Sequence, residues 1–204
     1  MAEPGVRVRG VVDDVLGILA GVPDDAWDVP ADGLDWSCRE TMAHLADTLG
    51  FYALQLAGER PPQAGYVALQ DPAPWTPGGH EILFWPRPDR GTAGIVECLD
   101  ATAGLLRAVL ATAGARIGYH PFGNADASGF EAMALTETML HSHEVLTAQG
   151  LEFVPSDGAC AWTLDRVFPH AQRTGEPWRD LLVATGRTPE TRGARWRWYS
   201  APRG

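Results

Sequence analysis

Cysteine is scarce in this chain and nowhere forms a motif. Cys38, Cys98 and Cys160 are widely spaced and odd in number, which argues against a disulfide framework or a cysteine-based zinc site and fits a reducing cytosol. Long apolar runs are missing too, since no stretch reaches the roughly 18 apolar residues of a membrane span. The opening "MAEPGVRVRGVVDDVLGILAGVPDD" holds only a short apolar run, broken by aspartates and followed by no A-x-A-like cleavage site. These absences predict a cytoplasmic protein with no membrane partner. A basic stripe is lacking as well: the net charge is −10, which disfavours a nucleic-acid partner, because a phosphate backbone calls for clustered cations. Arginine does gather in the terminal "TRGARWRWYSAPRG", but Trp196 and Trp198 alternate there with Arg195 and Arg197. That period of two predicts a terminal strand rather than a nucleic-acid patch. Internal repeats and low-complexity segments are also absent.

What is present is an ordinary globular composition, 45% apolar and 21% charged over 204 residues. A chain of that size favours one domain and buries roughly 70% of its unfolded surface without covalent staples. Helical periodicity is the dominant signal. Residues 6–21 carry Val8, Val11, Val12, Val15, Leu16 and Leu19 at helical spacing. Ser37, with Glu40 three residues later, is a capping box. It opens a second helix through "CRETMAHLADTLGFYALQLAG" that should stop near Gly58 and the Pro61-Pro62 pair. Residues 92–113 resume the period, and Phe130 to about Ala148 forms a fourth helix ended by Gly150. Shorter helices are expected near 157–168 and 176–185. The segment "ERPPQAGYVALQDPAPWTPGGHEILFWPRPDRG" between the second and third long helices is a loop long enough to be functional. The pattern predicts an all-α chain: an up-and-down four-helix bundle over 1–150, with a C-terminal extension over 151–204 packed on it as one structural unit.

The polar residues inside "ALTETMLHSHEVL" raise the question of function. A helix turns about 100° per residue, so Glu137, His141 and Glu144 share a stripe while His143 lies about 160° away. On the second helix His44 stands one turn after Glu40 and nearly one turn before Asp47. Two helices of one bundle can aim His44, Glu137 and His141 at a common point. Two imidazoles and a carboxylate with an open coordination position describe a catalytic zinc site. Spacing alone also admits a weak surface pair worth a few tenths of a kcal/mol, and a lone histidine on an apolar face is usually a hydrogen-bonded core residue. Met139, Leu140, Val145 and Leu146 flank one group and Met42, Ala43, Leu45 and Leu49 the other, and buried charge without a partner is costly. Of the remaining histidines, His80 lies in a loop that can reach the mouth of the site or stay exposed. His120 precedes a proline in a turn, and His170 follows a helix end. The tryptophans are chiefly core residues, with Trp75 and Trp85 in the long loop as candidates to line a pocket.

"AWDVPADGLDWSCRETMAHLADTLGFYALQLAG" resembles the N-terminal signature of the DinB-like, mycothiol-dependent maleylpyruvate isomerase family, in which a tryptophan-containing segment leads into a W-S-x-x-[ED]-x-x-x-H-L helix. "MALTETMLHSHEVLTAQGL" is similar to its E-x-x-x-H-x-x-[DE] motif. "LDRVFPH…PWRDLLVATGRTP…RWRW" is similar to the C-terminal extension of many actinobacterial members. The likeness covers nearly the whole chain except the loop from about 59 to 90. It implies a DinB-like bundle, a metal triad at His44, Glu137 and His141, a divalent ion that is most often Zn2+, and mycothiol as co-substrate. Glu144 stands where the family usually has an aspartate, which leaves open whether it orients His141.

A thiol that reaches a zinc ion held in this way is deprotonated and becomes a nucleophile at neutral pH. If its adduct with a small electrophile collapses after bond rotation the outcome is cis–trans isomerisation; if the adduct persists it is S-transfer. The expectation is therefore a zinc- and mycothiol-dependent transferase or isomerase acting as a monomer or homodimer. Two other classes stay open: a metal-dependent hydrolase with Glu144 or Asp47 as base, and a non-enzymatic metabolite- or thiol-binding bundle. An iron oxygenase also uses two histidines and a carboxylate, but nothing in the sequence marks an oxoacid co-substrate pocket.

Overall fold

Side-chain caps fix three of the helix starts in this chain. In the computed structural model, which describes residues 3–69, 71–75, 79 and 81–203, the long helices are α1 (Val6–Leu19), α2 (Cys38–Ala57), α3 (Gly91–Thr112) and α4 (Ala127–Ala148). Two shorter ones follow, α5 (Asp157–Val167) and α6 (Pro177–Ala184). Ser37 and Glu40 form the reciprocal box at the start of α2, with Glu40 N donating to Ser37 Oγ at 3.2 Å and Ser37 N to Glu40 Oε2 at 3.0 Å. Asp126 accepts from Gly129 N at 2.8 Å, so α4 begins at Ala127, ahead of the Phe130 expected from apolar spacing. The start of α3 is capped from a distance: Thr92 N donates to Asp24 Oδ1 at 3.0 Å, from the turn Asp24–Asp28.

Each of α1 and α2 makes its main helix contacts with α3 and α4. The four-helix bundle expected from the sequence is the architecture observed. Its centre is α4, whose Phe130, Met133, Leu135 and Leu146 are fully buried, each contributing roughly 1.5–3 kcal/mol of apolar transfer. The helix carries apolar or small residues almost all round, and α1, α2 and α5 cover it. Val8, Val12 and Val15 of α1 and Leu45, Leu49 and Leu56 of α2 complete the core.

The long loop between α2 and α3 holds the one small sheet among the described residues, β1 (Ala73–Pro74) paired antiparallel with β2 (Glu81–Ile82). It is tied to α2 at Asp47, whose Oδ1 accepts from Leu83 N at 2.8 Å and Phe84 N at 2.7 Å. Gly50, one turn on, makes room for this approach: a Cβ there would stand 2.9 Å from the Phe84 ring. Trp75 and Trp85 do not line the cleft described below. Their indoles donate instead to Pro86 O at 3.1 Å and Ile82 O at 2.8 Å and brace the loop internally. His80 lies outside the described residues.

The terminal strand expected from the alternating tryptophans does not form. The one sheet among the described residues pairs β1 with β2 alone, and residues 194–200 run without strand pairing. Their backbone is satisfied by the end of α5: Tyr199 N donates to Val167 O at 2.8 Å, and Arg166 donates to Ser200 O at 3.0 Å. Arg166 also reaches Asp126 at 3.0 Å, so the C-terminal segment is pinned to the start of α4. Among the described residues no helix is long and apolar enough to cross a membrane.

Candidate metal centre

His44 projects from the middle of α2, and Glu137 and His141 from successive turns of α4. Their ligand atoms all lie within 4.8 Å of one another, with His141 buried and the other two half-buried. His141 Nε2 is 3.0 Å from Glu137 Oε2, and the His44 and His141 rings meet edge to face with centroids 5.3 Å apart. The opposite edge of His141 is fixed as well, its Nδ1 standing 2.7 Å from Glu144 Oε2. Glu144 is in turn gripped through its other oxygen by Arg187, from Nε at 3.1 Å and from the second guanidinium nitrogen at 3.0 Å. Arg187 also donates to Thr185 O at 2.7 Å and packs its guanidinium over the Trp196 ring at 5.2 Å. Arg187, Glu144 and His141 thus form a continuous chain of charged hydrogen bonds that ends beside Glu137.

The electrostatics follow from that chain. Burial alone would lower the His141 imidazole, but hydrogen bonds and charge from Glu137 and Glu144 outweigh it and raise its pKa to about 9. Burial would raise Glu137, yet the hydrogen bond to His141 and the charges of His141, His44 and Arg187 hold it below the usual carboxylate range.

The donor set fits a divalent ion. Zinc ligands about 2 Å from a tetrahedral centre stand roughly 3.3 Å from each other, close to the 3.0 Å between His141 and Glu137. A carboxylate on Nδ1 of His141 assigns Nε2 to face the other donors, the outer-sphere partner that metal-binding histidines use.

Beside the triad opens a cleft of about 310 Å³, lined by His44 and Glu137 together with Tyr52, His120, Phe122 and Trp198 among others. A neighbouring cavity of about 520 Å³ under the long loop shares Asp47, Phe51 and Tyr66 with it. Phe122 N donates to His120 Nδ1 at 3.2 Å, and burial depresses the His120 imidazole to about 4, with only partial opposition from the charge of Glu137. On the other side of Glu144 a smaller pocket of about 220 Å³ is lined by Arg187, Arg192 and His143 and does not reach the triad. His143 faces that side, its ring against Trp178 at 5.4 Å.

A family model described as the DinB superfamily matches residues 8–145. The chain belongs to the DinB superfamily. No curated protein and no solved structure matches it. The matched stretch of this DinB-superfamily chain contains the whole triad and Glu144, but Arg187 and Trp198 lie beyond it. The clamp on Glu144 and one wall of the cleft are thus supplied from outside the matched region.

Sequence reasoning missed Arg187, which sits in an irregular turn with no period to mark it. His120, read as a turn residue, stands in the cleft wall; its only signal was a histidine inside an aromatic-rich break, "GYHPFG". Asp47, considered as a base, spends Oδ1 on anchoring the loop.

Proposed function

We propose that this DinB-superfamily chain is an enzyme that uses a divalent metal, zinc by its donor set, and a low-molecular-weight thiol such as mycothiol. In this reading it acts on a small electrophile, as an S-transferase or a cis–trans isomerase. The observation that carries the reading is the convergence of His44, Glu137 and His141 beside an aromatic cleft. A bound divalent ion supplies Lewis acidity, which brings a thiol to the thiolate state near neutral pH.

The protein's own residues account for the rest. Glu144, steadied by Arg187, keeps the His141 ring from turning, and Glu137 contributes the anionic donor. Tyr52 and Trp198, both buried, form the inner wall of the cleft. Asp47 holds the loop over the neighbouring cavity, so the space for the electrophile is bounded by α2 on one side and the loop on the other.

A hydrolase that activates water through a side chain would need a carboxylate poised to take its proton. Both oxygens of Glu144 are engaged, one by Arg187 and one by His141, and Asp47 Oδ1 already accepts two backbone donors. This favours a reactant that loses its proton to the metal's field, as a thiol does, over water activated by a side chain. Metal analysis of purified protein, then a turnover screen against electrophiles and esters with and without thiol, tests the reading. Strict thiol dependence supports it; thiol-independent ester cleavage replaces it with a hydrolase.

A further inference from the structure

The cleft beside the triad is built for a particular kind of molecule. Every basic residue of the chain other than histidine is an arginine, sixteen in all, yet none of them is among the described residues lining the cleft or the cavity beside it. Arg187, which comes near through Glu144, has its guanidinium engaged there and opens onto the smaller pocket behind. The acidic groups that line the space are Asp47, Glu81 and the metal-centre residue Glu137 in the cleft, and Asp71 in the cavity. Recognition of a carboxylate ordinarily uses a bidentate arginine fork, and among the described residues the lining supplies none.

The walls point the other way. Phe51 and Tyr66 meet edge to face at 5.0 Å, and Phe122 and Trp198 at 6.0 Å. Such rings offer flat apolar surface to a conjugated body and little to a hydrated anion. Neutral donors stand in the lining, the hydroxyls of Thr48, Tyr52 and Tyr66 and the Trp198 indole among them, and His120 adds one on an imidazole. Because His120 Nδ1 accepts from Phe122 N, the ring carries its proton on Nε2, the opposite edge.

We infer that the cleft takes an uncharged, flat, conjugated electrophile whose carbonyl or similar acceptor oxygen receives a hydrogen bond from His120 Nε2, and that it does not take a dicarboxylate. The inference rests on the metal–thiol reading for calling the bound molecule an electrophile, and on the cleft alone for its charge and shape. Burial keeps the His120 ring neutral through the physiological range, so the donor is present without adding a cation that would attract anions.

The test is binding, not turnover. Dissociation constants are measured by calorimetry on the zinc-loaded full chain without thiol, for benzylideneacetone, its 4-carboxylate and the carbonyl-free 1-phenyl-1-butene. The uncharged ketone should bind at least about tenfold tighter than the carboxylate and about fivefold tighter than the hydrocarbon. His120→Phe should erase the ketone-over-hydrocarbon preference, and His120→Gln, which keeps a donor, should restore part of it. Should His120→Phe fail to fold, the ketone-to-carboxylate ratio on the unaltered chain still decides. Equal or tighter binding of the carboxylate, or no binding of the ketone, overturns the inference. Repeating the series after chelation separates the two readings. Preference for the ketone in a protein that takes up no zinc would end the metal–thiol reading and leave the cleft assignment standing. Zinc uptake without that preference would do the reverse.

Discussion

Arg187 Nε stands 3.1 Å from Glu144 Oε1, although the two residues are 43 positions apart. Glu144 is almost fully buried, and a buried carboxylate without a counter-charge is costly. The turn after α6 therefore bears directly on the proposed metal centre, through Glu144 and the His141 ring. This contact binds the C-terminal segment to the chemistry of the bundle.

Arg187→Met should lower zinc affinity by about 10- to 100-fold, the usual cost of losing an outer-sphere partner. Arg187→Lys should recover only part of it, because an ammonium cannot reproduce the fork on Glu144. Competition with a chromophoric chelator measures both. Wild-type affinity in Arg187→Met would reduce the clamp to a packing role.

Glu137→Gln and His143→Ala separate the two sides of α4. The first removes the anionic donor while keeping its size, and metal content should fall at least as far as in Arg187→Met. The second should leave metal content unchanged and cost at most about 1–2 kcal/mol, since His143 packs on Trp178 away from the triad. His44→Ala should abolish binding altogether. Metal analysis and thermal midpoints of the three variants check this; metal loss in His143→Ala with retention in Glu137→Gln would refute the placement.

The cysteines should prove dispensable. Burial pushes the Cys160 thiol up to about 12 and raises Cys38 and Cys98 as well, so none is a ready thiolate at neutral pH. Single replacement by Ala should leave turnover within about twofold, with stability losses confined to packing at the two buried sites. Lost activity in a folded variant would reveal a protein nucleophile.

His120 makes a signed pH prediction. Its folded pKa, about 4, lies below the ordinary 6.5. Below that ordinary value the unfolded chain takes up a proton that the folded chain refuses, so stability falls as pH drops through this window. By pH 5 the loss from this one group is about 2 kcal/mol. His120→Phe should flatten that part of the acid limb, whatever it does to stability at pH 7. Denaturant midpoints at pH 7 and pH 5 for both proteins measure the slope, and parallel slopes would count against a neutral buried His120.

Asp47→Ala should release the loop. Its two backbone donors lose their acceptor, at about 1–3 kcal/mol, so amide exchange at Leu83 and Phe84 should quicken by about 10- to 100-fold. Asp47→Asn keeps an acceptor oxygen and should change much less. Unchanged exchange in the alanine variant would mean that the loop is held elsewhere.

Four long helices could be read from the sequence because their apolar spacing and caps are local: Ser37 and Glu40 meet within one turn, and Val8, Val12 and Val15 share a face. The facing of Glu137 and His141 is equally local, a matter of helical angle; a bundle of such helices lets His44 join them, and the resemblance to the DinB-like family falls on the same three residues. The terminal strand failed for the opposite reason. Alternation of Trp196 and Trp198 records which side of an extended segment is buried, but a strand also needs a neighbouring edge, and only packing determines whether one is there. Arg187, His120 and the anchoring role of Asp47 were decided by the tertiary structure alone. Each sits in an irregular segment or bonds to one, and a side chain that reaches across tens of residues to a single partner leaves no period for the sequence to display.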